Sequence, residues 1–187
     1  MKKFLKENFS MVSKIWANHF GMMVFGLMVS VAAGMLSKQF WGGNRIAQII
    51  AGAFAVLLYM FLLYTALWEK GASDKIKIDG GRLEKNKLYG MYVSIYANAI
   101  FIFIGLLIVL FYHVGLRDAS GVLSVITSFL NGMYSVFTGM CPEWFPYIHI
   151  IVQIPSIIVC TFSYLLGVNG VRYILPETKK HLNDQTR

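Results

Sequence analysis

The segment Ala119–Met140, ASGVLSVITSFLNGMYSVFTGM, carries no charge and decides between two chain topologies. Its polar side chains recur mostly at intervals of three or four residues, which places them on one stripe of a helix. The stripe comprises Ser120, Ser124, Thr127, Ser128, Asn131, Ser135 and Thr138. The opposite face is apolar and comprises Val122, Leu123, Ile126, Phe129, Leu130, Met133 and Phe137. A helix of this kind over residues 119–140 either crosses a membrane or enters it and returns to the same side.

The composition of the rest of the chain indicates that the protein is embedded in a membrane. Of the 187 residues, 57% are hydrophobic and 14% are charged, which excludes a disordered chain and disfavours a soluble enzyme domain. Four segments are long and apolar enough to cross a bilayer. They are residues 16–37, 48–68, 88–114 and 147–171. The sequence therefore predicts an all-α polytopic membrane protein, a single helical domain over residues 1–187, with four transmembrane helices and residues 119–140 as a re-entrant or fifth helix.

The distribution of Lys and Arg favours four crossings. If residues 119–140 do not cross, the N-terminus, the loop 69–87 and the tail 172–187 share one side and hold 14 of the 17 basic residues. If they do cross, the split is 10 against 7. The positive-inside rule then predicts that both termini are cytoplasmic. The formal charge of +8 is therefore interpreted as a signal for the orientation of the chain in the membrane rather than as a nucleic-acid site. Composition favours a bacterial cytoplasmic membrane.

Two basic segments flank the predicted spans. Residues 1–15 have an amphipathic pattern and predict either a helix in the headgroup layer or a solvated tail. The loop 69–87 contains the turn signal Asp79-Gly80-Gly81, which predicts a charged linker or a small hairpin between Lys75–Ile78 and Arg82–Leu83. Both segments are expected on the cytosolic side.

The sequence offers little for catalysis. The four spans contain no Asp, Glu, Lys or Arg, which argues against a carboxylate-driven transporter. His19, His113 and His149 lie near predicted span ends, where packing at headgroup level is expected. No spacing of His, Cys and acidic residues predicts a metal site, and no motif predicts a cofactor. A lipid-modifying enzyme would have to use the groups Cys141, Glu143, His113 and His149.

Two further patterns concern the helices themselves. Gly26, Ser30 and Gly34 repeat every four residues and predict a ridge for close helix packing, within the bundle or between copies. Polar residues in the C-terminal half either line an internal polar cavity or hydrogen-bond neighbouring helices as glue. The candidate lining residues are Ser124, Thr127, Ser128, Asn131, Ser135, Asn98 and Gln153.

These features lead to two functional hypotheses from different classes. The first is a transport-type or channel-type protein for a neutral or amphiphilic ligand, alone or as an oligomer. The second is a non-catalytic membrane anchor or regulatory subunit of a larger complex. The expected partners are the lipid bilayer and a second copy or a partner membrane protein, with no nucleic acid.

Overall fold

The computed structural model describes residues 2–40, 45–142 and 144–171, with side chains from Asn8 onward. The predicted features on the tail 172–187, on Glu143 and on the side chains of residues 2–7 lie outside the described part. Helices account for nearly all of that part, which contains no strand. They are α1 (Lys2–Phe40), α2 (Ile46–Asp79), α3 (Tyr89–Val114), α4 (Arg117–Leu130), a 3₁₀ turn (Gly132–Tyr134), α5 (Ser135–Met140), α6 (Ile148–Ile151) and α7 (Ile154–Asn169).

Four helical segments are long and apolar enough to cross a membrane, which confirms the predicted all-α polytopic class. They are Asn8–Phe40, Ile46–Asp79, Tyr89–Val114 and Ile148–Asn169. The last segment combines α6 and α7, and Pro155 lies in the first turn of α7, where its missing N–H removes no helical bond.

Residues 2–16 do not form a separate N-terminal helix. α1 runs without a break from Lys2 to Phe40, so this segment is continuous with the first span. Burial of Met11, Val12 and Ile15 in the core explains the difference, because tertiary packing on one face extends the helix.

The predicted linker or hairpin in the loop 69–87 is wrong over its first half. α2 continues to Asp79, so Lys75–Ile78 are helical and the loop begins at Gly80. With 34 residues at a rise of about 1.5 Å, α2 is about 51 Å long and exceeds the ~30 Å hydrocarbon core. Its extension packs on α7 through Gly71, where an added Cβ would lie 2.5 Å from the Tyr164 carbonyl oxygen.

Hydrogen bonds define one end of the bundle, which we call the tail end. There the Tyr89 hydroxyl donates to Asn8 Oδ1 (2.7 Å), and Trp68 Nε1 donates to the Val171 carbonyl (2.8 Å). The opposite end, which we call the cavity end, contains the C-terminus of α3. The Tyr89 ring also packs on the Tyr164 ring of α7, with centroids 4.7 Å apart, so the first turns of α1 and the end of α7 lie at the same end of the bundle.

The segment after α3 re-enters the bundle from the cavity end. Gly115, with φ of 90°, allows the chain to reverse, and α4 then runs back along α3, where the Ser120 hydroxyl donates to the Ile108 carbonyl (3.1 Å). Near Asn131 the axis bends by 101° into residues 132–140. The Tyr147 hydroxyl then lies 2.8 Å from His113 Nε2 in the last turn of α3, so the segment returns to the end at which it entered.

The outside of the bundle is apolar, and its interior combines apolar and polar side chains. Leu57, Phe103 and Phe162 are at least 60% exposed. Among the described residues, thirteen polar or charged ones, including Asn98 and Gln153, are buried beside an apolar core. An apolar outer surface is expected where lipid surrounds the helices, since apolar side chains then lose nothing by exposure.

Candidate functional site: a cavity joined to a polar row

A cavity of about 1190 Å³ lies at the cavity end, between α4, the end of α3 and the segments 138–142 and 144–149. Its apolar lining includes Ile108, Val122, Val125, Ile126, Trp144, Phe145 and Ile148. Its polar lining includes Arg117, Asp118, Ser120, Ser124, Ser128, Thr138, Cys141 and His149. A chamber with both kinds of wall is suited to a ligand that is itself amphiphilic.

Ser124 and His149 form the polar inner wall of this cavity. Ser124 Oγ lies 2.5 Å from His149 Nε2, whereas His149 Nδ1 has no hydrogen-bond partner among the described residues. The close approach of α6 to α3 depends on Gly105, where a Cβ would lie 2.9 Å from Ile150 Cγ1. A larger residue there would displace the turn that carries His149.

The Ser124–His149 pair contains a hydroxyl beside a base but lacks other parts of an acyl-transfer site. Ser124 lies in the middle of α4, where backbone N–H groups bond within the helix and cannot stabilise an oxyanion. No described group orients His149 through Nδ1. The pair is therefore equipped to bind a polar ligand group and to hold α4 against α6.

From His149, a row of buried side chains follows one face of the last span. His149, Gln153, Ser156, Cys160 and Tyr164 are each at most 3% exposed and are separated by three or four residues, which is helical spacing. From His149 to Tyr164 the rise is about 22 Å at about 1.5 Å per residue. The row, which we call the polar row, is thus long enough to extend along most of a ~30 Å hydrocarbon core. Within it, Cys160 is a residue of the apolar core between Ser156 and Tyr164.

Other helices supply partners for the polar row. Gln153 Nε2 donates to Asn131 Oδ1 (3.1 Å), at the point where the re-entrant segment bends. Asn98 Nδ2 donates to Ser156 Oγ (3.2 Å) and to the Ser94 carbonyl (2.9 Å). Each amide therefore joins two elements of the bundle.

His19 holds the tip of the re-entrant segment, contrary to the expected place at headgroup level. Its Nε2 lies 3.2 Å from the Leu130 carbonyl oxygen, one of the acceptors left free where α4 ends. Its Nδ1 lies 3.2 Å from the Tyr59 hydroxyl, and its ring stacks on Phe101 with centroids 4.2 Å apart. These partners on α2, α3 and α4 place His19, which is 1% exposed, in the interior of the bundle.

The polar row ends at a buried carboxylate that the sequence reasoning missed. Asp74 is 1% exposed, accepts a hydrogen bond from the Tyr164 hydroxyl (3.2 Å) and forms an ion pair with Lys70. It was overlooked because the second span was expected to stop at Trp68. The signal was present in the spacing, since Leu63, Leu67, Gly71 and Asp74 lie on one helical face.

The candidate lining residues separate into distinct groups. Ser124 and Ser128 line the cavity, whereas Asn131, Gln153 and Asn98 belong to the hydrogen-bonded interior. The hydroxyls of Thr127 and Ser135 are buried without a hydrogen-bond partner among the described residues.

The residues considered for an enzyme do not gather at one point. His149 and Cys141 line the cavity, whereas His113 Nε2 lies 2.8 Å from the Tyr147 hydroxyl. Over residues 2–40, 45–142 and 144–171, no group of three His, Cys, Asp or Glu side chains could hold a metal ion.

The small-residue ridge of α1 packs inside the bundle. A Cβ on Gly26 would lie 2.4 Å from Met133 Cα, so α1 and the 3₁₀ turn meet backbone to backbone. Gly34 faces Gln48 Nε2 on α2, at 3.1 Å from the position of an added Cβ. Ser30 between them is partly exposed.

Comparison of the chain with protein-family models, with curated proteins and with solved structures gave no match.

Proposed function

We propose that this protein is a transport-type membrane protein that moves a neutral or amphiphilic ligand, alone or as an oligomer. In this proposal the tail end faces the cytoplasm of a bacterial cell, since the four-crossing topology places most basic residues there. The cavity then opens to the outside. The fold supports only the membrane part of this proposal, because it contains several apolar helices compatible with a membrane protein.

The observation that carries the proposal is the continuity between the cavity and the polar row. His149 belongs to both, and the row continues through Gln153 and Ser156 to Tyr164 and Asp74. Helices that only pack against each other need no more than a few separate hydrogen bonds, and these need not form a continuous line. A line of polar groups from an open chamber to the opposite end supplies successive binding positions for a ligand.

At the tail end, the described parts of α2 and α7 are in close backbone contact. Gly167 and Gly71 bring α7 and α2 together, since a Cβ on Gly167 would lie 2.3 Å from the Trp68 carbonyl oxygen. The Asp74–Tyr164 hydrogen bond lies beside this contact. The proposed state is therefore open at the cavity end, and transport requires α2 and α7 to separate at the tail end.

Flux through reconstituted protein tests the proposal. Vesicles of phosphatidylethanolamine and phosphatidylglycerol would be assayed for glycerol and urea entry by stopped-flow light scattering. Dithionite quenching would report movement of a nitrobenzoxadiazole-labelled phospholipid. The comparison variant is the double substitution Asn131→Leu/Gln153→Leu, which interrupts the polar row without leaving an amide unpaired.

We expect one of these probes to cross faster than in protein-free vesicles and the double variant to abolish the gain. Rates equal to those of protein-free vesicles would refute transport of these probe classes. A double variant as active as the parent would refute the role of the polar row.

The second candidate is a non-catalytic anchor or regulatory subunit. It is favoured by the segment 80–88, whose side chains are exposed at the tail end and include Arg82, Lys85 and Lys87. It predicts no flux with any probe, and charge reversal in this segment would then disturb the activity of the complex rather than the stability of this chain.

In both candidates we propose that the protein is not a hydrolase. A fluorophosphonate, which reacts with activated serines, is expected to leave Ser124 unmodified in the folded protein. Stoichiometric modification of Ser124, detected by mass spectrometry, would contradict this.

A further inference from the structure

We propose that the cavity binds a phospholipid taken sideways from the leaflet at the cavity end, with the ethanolamine headgroup as the best-matched class. This inference rests on the proposed function and names its substrate class. It depends on three features of the described residues: a lateral opening, a pair of charges at the mouth and polar groups deeper inside.

The lateral opening lies along α4. Val122 and Val125 line the cavity and are 61% and 71% exposed. Phe129 lies on the same face of α4 outside the cavity lining and is 58% exposed, so the cavity wall continues into the apolar outer face of the helix. In a re-entrant α4, that face lies against acyl chains. An acyl chain can therefore enter without leaving an apolar environment.

The charges at the mouth match a zwitterionic headgroup. Arg117 and Asp118 both line the cavity and begin α4. A guanidinium binds a phosphate through charge-assisted hydrogen bonds, and a neighbouring carboxylate binds a primary ammonium. Arg117 Cζ lies 5.8 Å from the centre of the Tyr112 ring, which helps to fix its position.

The depth of the cavity matches one leaflet. From Arg117 to Ser128 the rise along α4 is about 16 Å at about 1.5 Å per residue. This is close to half of a ~30 Å hydrocarbon core, so the charges fall at headgroup level while Ser128 approaches the midplane.

The inner wall offers groups for the glycerol region of the lipid. Ester carbonyls accept hydrogen bonds, and the hydroxyls of Ser124 and Ser128, which both line the cavity, can donate them. The same site deepens into the polar row, along which a headgroup would move in transport.

Photocrosslinking tests the proposal on the full chain. The probe is a phosphatidylethanolamine with a diazirine on its acyl chain, incorporated in vesicles with the protein and mapped by mass spectrometry. The cavity is filled by Gly121→Phe, because an added Cβ there meets no atom within 4 Å and the residue lines the cavity. The matched control is Gly21→Phe, an equally unobstructed and exposed glycine on α1 outside the cavity lining.

We expect crosslinks in Phe145 and Ile148 that exceed those in Phe103, which faces lipid elsewhere. Gly121→Phe should remove the excess and Gly21→Phe should retain it. Arg117→Gln should reduce labelling about tenfold at limiting probe, the loss expected for one charge-assisted bond. A diacylglycerol probe should not respond to Arg117→Gln.

Three results would overturn the inference. Labelling equal at Phe103 and in the cavity, unchanged by Gly121→Phe, would indicate surrounding lipid only. Displacement by inorganic phosphate at millimolar concentration would indicate a site for free anions. Crosslinks through the cavity to a second copy of the chain would indicate an oligomer interface. Crosslinking without flux would leave this site intact and remove the transport proposal, whereas flux without crosslinking would do the opposite.

Discussion

At the scale of single residues, Gly26 determines how deeply the re-entrant segment can sit against α1. The position of an added Cβ lies 2.4 Å from Met133 Cα and 2.5 Å from Met133 N, and both are backbone atoms. Backbone atoms cannot turn away as a side chain can, so even one methyl group must separate the two elements.

We therefore expect Gly26→Ala to lower stability by about 1–3 kcal/mol, the usual cost of overpacking. Gly21→Ala is the control, because its Cβ meets nothing within 4 Å and alanine favours a helix over glycine. The measurement is the thermal midpoint of the protein in one detergent. Equal midpoints for the two variants would show that α1 and the re-entrant segment do not meet in this way.

The amide pair Gln153–Asn131 offers a second test at this scale. Gln153→Leu leaves the buried Asn131 without its donor, and we expect a loss of about 1–3 kcal/mol. The double variant with Asn131→Leu removes both polar groups and should recover most of that loss. A double-mutant cycle in which the stability changes of the two single variants simply add would contradict this hydrogen bond.

At the scale of elements, the extension of α2 depends on Asp74. Its carboxylate accepts from Tyr164 on α7 and pairs with Lys70 on its own helix, so one group ties the last turns of α2 to the final span.

Asp74→Ala should destabilise the protein by about 1–3 kcal/mol, because it leaves the buried Tyr164 hydroxyl without an acceptor. Asp79→Ala, at the exposed end of the same helix, should change stability by less than about 0.5 kcal/mol. Both are measured by thermal unfolding. The interpretation of α2 as one helix locked to α7 fails if the two variants behave alike.

The elements also show where sequence reasoning succeeds and where it stops. The apolar length of each span and the polar stripe on residues 119–140 are local patterns, and they predicted four crossings and a membrane-inserted helix facing the bundle. The bend at Asn131 and the helical continuation to Asp79 depend on Gly26, Gly71 and Gly167, which meet partners far away in the chain. Such backbone contacts leave no periodic trace in the sequence. The structure accordingly separates Ser124 and Ser128, at the cavity, from Asn98, Asn131 and Gln153, in the hydrogen-bonded interior.

At the scale of the whole molecule, the proposed pathway depends on which side of the membrane the re-entrant segment returns to. If residues 117–142 return to the side of the membrane from which they enter, the cavity opens on that side only. The polar row then leads from the cavity toward the other side, where both ends of the described chain lie. If the segment crosses the membrane, the cavity and the tail end no longer face opposite sides as proposed. The structure then defines no path from one side to the other.

Cysteine labelling from either side of intact cells tests this most directly, in a background with Cys141 and Cys160 replaced by Ser. Single cysteines at Leu116, Trp144 and Asn86 are all at exposed positions. A membrane-impermeant maleimide added outside should label Leu116→Cys and Trp144→Cys but reach Asn86→Cys only after permeabilisation. Labelling of Leu116→Cys and Trp144→Cys from opposite sides would contradict the re-entrant topology and, with it, the proposed cavity and pathway.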